Sequence, residues 1–114
     1  MNILYSLLKT IRPYNVFLSC ITMHIAFTVY SRSRLLDWIK TNNNIEIWCY
    51  GVLVVFFYTS AANMINDIFD IKTDKINKPN RPLASNQLDK RYAIVCFLLL
   101  SICGCICSFK TNNN

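Results

Sequence analysis

The chain has 114 residues, of which 54% are hydrophobic and only 16% charged, with a formal net charge of +6. A soluble domain of this size spreads charge over its whole surface, whereas here the charges are segregated and long windows carry none. That composition excludes an ordinary soluble domain. It also argues against a nucleic-acid surface, because the basic residues lie in loop clusters without interleaved aromatics.

Residues 2–12 set Leu4, Tyr5, Leu7, Leu8 and Ile11 against Lys9 and Arg12, the pattern of a short amphipathic lead-in at an interface. Pro13 suits the first turn of a new helix. A first span is expected over about residues 14–30, which hold no charge apart from His24. A signal peptide is the competing reading, with Lys9 and Arg12 as its basic region. No small-residue cleavage site follows Phe27, and further spans come later, so a retained helix is expected. His24 reads as a packing residue with a hydrogen bond, its alternative being a cavity-facing imidazole. Residues 31–44 read as a polar loop, with an interfacial turn around Leu35, Leu36, Asp37 and Trp38. A second span is expected over about 47–65, where Ser60, Ala61 and Ala62 permit close helix packing.

Directly after this apolar run comes a polar stripe. Asn63, Asp67, Asp70 and Asp74 recur at helical spacing, so a continuous helix would place all four within roughly 60° of one another. Nothing between Ile65 and Ile76 is expected to break that helix, and Lys78 would return to the same face if it persisted. Asp is a poor helix-interior residue, and like charges three or four apart repel. Three carboxylates on one face therefore ask for a cation. Solvated charge at a helix exit accounts for one or two acids but poorly for a stripe that begins with Asn63 and Asn66. The spacing and glycine of an EF-hand are missing. Pro79 and Pro82 then enforce a loop over 77–87. A third span is expected over about 92–109.

Six cysteines, Cys20, Cys49, Cys96, Cys103, Cys105 and Cys107, all fall within apolar runs, where they read as small packing residues instead of disulfide or zinc ligands. With the N-terminus inside, inner segments hold eight of the twelve basic residues and outer segments four. The N-terminus and the aspartate-rich loop are therefore expected on the cytoplasmic side. Carboxylates are hard donors suited to Mg²⁺, which takes one or two of them and completes its shell with water and phosphate oxygens. Asp67, Asp70 and Asp74 would hold the metal and the metal a lipid diphosphate, whose oxygens Lys78 and Arg81 could also reach. Neutralising the leaving diphosphate would ease its departure.

The run Asn66-Asp67-x-x-Asp70-x-x-x-Asp74, followed by Asn77-Lys78-Pro79-Asn80-Arg81-Pro82-Leu83-Ala84-Ser85, closely resembles the first aspartate-rich motif of the UbiA family of membrane prenyltransferases. Arg12-Pro13-Tyr14-Asn15 is similar to the Arg-Pro-x-Asn that opens the first helix of that family. The resemblance implies an all-α integral membrane domain over 1–114, with three helices matching the first third of a nine-helix bundle. It implies Mg²⁺-dependent transfer of an isoprenyl group from a polyprenyl diphosphate to a lipid-soluble acceptor, with the membrane lipid and further helices as partners. Asp67, Asp70 and Asp74 would be the metal residues. Asn63, Asn66, Asn15, Lys78 and Arg81 would serve the diphosphate. The wording of the motif looks most like branches that build archaeal-type ether lipids or prenylate homogentisate. Two departures stand out. The family has a second aspartate-rich motif, whereas the only carboxylate after Asp74 here is Asp89, and Asn86 stands where the family commonly has Gly. The alternative expectation is thus a non-catalytic membrane segment or a helical hairpin that binds a partner.

Overall fold

A computed structural model describes residues 2–30 and 45–112. The expected turn around Leu35–Trp38 lies outside the described residues. Within them the chain forms α1 (Ile3–Ile11), α2 (Pro13–Tyr30), α3 (Ile45–Phe69), α4 (Ile71–Asn77) and α5 (Lys90–Asn112). The three long helices stand where the apolar runs predict them. Two of them, α3 and α5, are long and apolar enough to cross a membrane, and α2 offers the shorter apolar stretch Pro13–Val29. At 1.5 Å per residue the 18 residues of α2 reach about 27 Å, just short of a hydrocarbon core of about 30 Å.

Local chemistry sets the boundaries. Asn2 caps α1, its side-chain oxygen accepting from the Leu4 amide at 3.3 Å. Arg12 ends α1 in the left-handed region, at φ 56° and ψ 70°, and Pro13 opens α2 with a preset φ. Asp89 caps α5 by accepting from the Arg91 amide at 2.8 Å.

The helix expected to continue unbroken from Ile65 to Ile76 is interrupted at one residue. Asp70 has ψ 3°, which separates α3 from α4, although the Asp70 amide still reaches the Asn66 carbonyl and the Asp74 amide the Asp70 carbonyl. No side-chain hydrogen bond caps the break, which falls at a residue of low helix propensity. The interruption comes where three carboxylates would otherwise stack on one face.

The most extensive packing joins α3 to α5, followed by α2 to α3 and α1 to α3. The contact between α3 and α5 is close at Gly104, where a Cβ would sit 3.3 Å from the Tyr58 ring. Between α2 and α3, a Cβ on Gly51 would come within 2.6 Å of the Met23 methyl. His24 meets Trp48 edge to face, with ring centroids 6.1 Å apart. All six cysteines are free thiols.

The buried core gathers at one end of the bundle. Met64 and Ile68 of α3, Leu83 and Leu88 of the following loop and Ala93 of α5 form it, with Leu7 and Ile11 of α1 packed against it. The proline-bearing loop is itself folded. The Gln87 amide reaches the Pro82 carbonyl at 2.9 Å and the Asn86 amide the Leu83 carbonyl at 3.5 Å, around Asn86 at φ 58°. This is the hydrogen-bond pair of a Schellman closure, whose left-handed position takes Gly first and Asn next. The Asn at this position thus has a backbone cause. Asn86→Val should lower stability by about 1–2 kcal/mol, whereas Asn86→Gly should match or exceed the parent. Thermal loss of helical circular dichroism in detergent micelles checks the pair.

Candidate active site

Asn63 and Asp67 lie one turn apart near the end of α3, and both are buried. Met64 and Ile68 carry the same stretch into the core, so the polar stripe is held against packed side chains and not open water. The Asn63 side-chain amide donates to the Ile11 carbonyl at 2.8 Å, one of the α1 carbonyls left without an intrahelical partner. This contact seats the end of α1 beside the stripe.

Asp67 is only 3% exposed and receives two guanidinium groups. Arg12 donates to its Oδ1, and Arg81 donates to the same oxygen at 3.1 Å. The same Arg81 nitrogen also donates to Asp74 Oδ2. Asp74, 5% exposed, therefore shares a cation with Asp67, two turns of chain away. Burying a carboxylate without partners is prohibitive, and paired charge-assisted hydrogen bonds make it tolerable. A fourth tether acts from outside, where the Lys9 ammonium donates to the Asn80 carbonyl at 3.0 Å. It pins α1 to the loop that carries Arg81.

Of the residues singled out from the sequence, the structure brings together Asn63, Asp67, Asp74 and Arg81. Asp70 sits at the break between α3 and α4, exposed and outside the ion-paired cluster. Asn66 is exposed on α3, Asn15 is exposed in the first turn of α2, and Lys78 is exposed just past the end of α4. Because α4 stops at Asn77, Lys78 does not continue the stripe on a helix. Among the described residues no three His, Cys, Asp or Glu side chains are grouped to hold a metal ion.

Arg12 joins this cluster without having been expected there from the sequence. Its tetrapeptide drew notice, but the site role went to Asn15. The available signal was an uncompensated basic residue immediately before a proline. Its left-handed backbone is unusual for a residue with a side chain, and such strain concentrates where surroundings over-determine it.

Comparison with known proteins gives the family. A model described as the UbiA prenyltransferase family matches residues 21–114. The chain belongs to the UbiA prenyltransferase family. It is 32% identical over 104 residues to a digeranylgeranylglyceryl phosphate synthase of Sulfurisphaera tokodaii, covering 91% of this chain and 34% of that protein. It is 47% identical over 62 residues to the synthase of the same name from Methanobrevibacter smithii, covering 51% of this chain and 22% of that relative. With the synthase of Methanococcus aeolicus the identity is 50% over 56 residues, covering 49% of this chain and 20% of that protein. The chain thus spans between about a fifth and a third of the length of these relatives. No solved structure matches it with significance. UbiA proteins are membrane proteins, in keeping with α3 and α5.

Loss of Arg81 strips a partner from two buried carboxylates at once, and loss of Arg12 strips one from a single carboxylate. Arg81→Gln should therefore destabilise by about 2–3 kcal/mol and Arg12→Gln by less, since the Arg12 side chain is also more exposed. Arg12→Gly should be milder than Arg12→Ala by about 1 kcal/mol, because glycine accepts the left-handed backbone. Thermal unfolding of the four variants in one detergent checks this order.

Proposed function

We propose that this chain provides the diphosphate-binding part of an isoprenyl transferase acting on a glycerol phosphate lipid acceptor. The observation that carries the reading is the cluster of Asp67 and Asp74 with Arg12 and Arg81, buried at one end of two helices long enough to cross a membrane. The names of the relatives supply the acceptor class, and the apolar helices suit the isoprenoid tail. The aspartate-rich loop is proposed to face the cytoplasm, as the distribution of basic residues suggests.

The donor set fits Mg²⁺. Asp67 and Asp74 are hard oxygen ligands already held to one guanidinium nitrogen, and the exposed Asp70 lies between them in the chain. A Mg²⁺ ion requires only one or two protein carboxylates beside its water and phosphate ligands. Asp67, Asp70 and Asp74 would hold it, and when bound it would neutralise charge developing on the departing diphosphate.

Charge balance then sets how the site fills. Two buried carboxylates face two guanidinium groups, so the cluster is close to neutral before anything binds. A divalent cation alone would compete with arginine for the same oxygens, and a diphosphate alone would meet Asp67 and Asp74. With both bound, Asp67 and Asp74 would hold the cation, and Arg12 and Arg81 would be free to pair with the diphosphate oxygens. Planar guanidinium groups suit that task through paired N–H donors. Lys78, exposed beside the loop, and Asn66 and Asn15, exposed on their helices, would close around the anion from the water side.

Geranylgeranyl diphosphate should bind the reconstituted chain only with Mg²⁺, and each component alone should bind weakly, by isothermal titration calorimetry. The double variant Asp67→Ala, Asp70→Ala should abolish binding. Because Asp70 is exposed, Asp70→Ala alone should cost at least about tenfold in affinity with an unchanged melting temperature. Undiminished affinity in both variants overturns the site.

A further inference from the structure

We propose a second binding site, at the junction of α3, α4 and α5, that takes the headgroup of an anionic phospholipid. A cavity of about 320 Å³ lies where α3 passes into α4 beside the start of α5, lined by Ile68, Phe69, Ile71, Lys72 and Lys90. That volume falls at the lower end of small-molecule pockets, roughly 300–1,000 Å³. Its floor is apolar and its two polar members are both lysines. Among the described residues neither lysine makes an ion pair, in contrast to the arginines, whose charge is spent on Asp67 and Asp74. The nearby Asp89 borders the adjoining cavity, but its carboxylate accepts from the Arg91 amide as the cap of α5.

The position identifies the ligand class. Phe69 is the last residue of α3 and Lys90 the first of α5, the two helices long enough to cross a membrane. The groove therefore lies at the common end of both, at headgroup level. Phe69 at the end of α3 and Lys72 in the first turn of α4 both line the groove, and Ile76 follows on α4. Phe69 is 80% exposed and Ile76 83% exposed, large apolar side chains on an otherwise polar segment. Apolar side chains that flank a lysine at this level suit acyl-chain carbons, with the ammonium groups above them for phosphate. A water-soluble anion would use the lysines and leave this apolar face without a partner. An anionic phospholipid uses both.

The whole chain, purified in a mild detergent doped with phosphatidylglycerol or phosphatidylcholine, tests the site by native mass spectrometry of retained lipid. One phosphatidylglycerol should stay bound and phosphatidylcholine should not. Lys72→Gln with Lys90→Gln should weaken retention by roughly thirtyfold, as expected for two lysines near an anionic headgroup. Lys75→Gln with Lys110→Gln removes the same charge from exposed positions outside the groove and should leave retention unchanged. Equal losses in the two double variants, equal retention of both lipids, or displacement of phosphatidylglycerol by inorganic phosphate at matched ionic strength would each overturn the assignment.

Discussion

Everything at the site end of this bundle depends on keeping the Asp67 carboxylate charged while nearly out of contact with water. Such a group is costly to desolvate, and only opposite charge held at hydrogen-bond distance compensates. Arg12 arrives from the end of α1 and Arg81 from the loop after α4, 55 and 14 residues away in sequence. One acid thereby determines where two otherwise separate segments must lie. A buried ion pair of this kind adds little net stability over an apolar substitute, but its loss of one member is severe. Its contribution is to position.

Apolar packing below the ion pairs does the complementary work. Met64 and Ile68 lie on the same helix as Asn63 and Asp67, and Leu83 lies two residues beyond Arg81. Asp67 and Arg81 therefore each have a buried neighbour that anchors the backbone. The Schellman closure at Asn86 fixes the loop independently, so Arg81 is presented from folded backbone. Helix α1 is tied from both sides, by Asn63 to its last carbonyl and by Lys9 to Asn80.

How much of this was legible in the sequence differs from residue to residue. Absence of charge located α2, α3 and α5, because apolar runs of spanning length have few other uses. Helical spacing pointed to Asn63, Asp67 and Asp74, all three of which are buried, and Arg81 joins the two acids. It misplaced Asp70, since periodicity assumes regular backbone and the break occurs at that residue. Proline predicted that a loop must follow α4, but not that the loop would close on itself around a left-handed Asn86. The Arg12–Asp67 contact was hidden for a plainer reason. It joins residues 55 positions apart, and only the packing of α1 on α3 brings them together. Local pattern reports which faces are polar, whereas partners across the fold are set by tertiary packing.

The uneven placement of the core has a dynamic consequence. Met64, Ile68, Leu83, Leu88 and Ala93 concentrate at the aspartate end, whereas toward the opposite end, beyond Gly51 and Gly104, only Cys107 is a buried hydrophobic among the described residues. Local opening follows local packing density. Backbone amides around Asp67 should then exchange with deuterium only when the whole bundle opens, and those beyond Gly51 and Gly104 much sooner. The bundle is a stiff socket with a pliant stem, whose far helix ends can adjust to changing bilayer thickness without disturbing the two arginines.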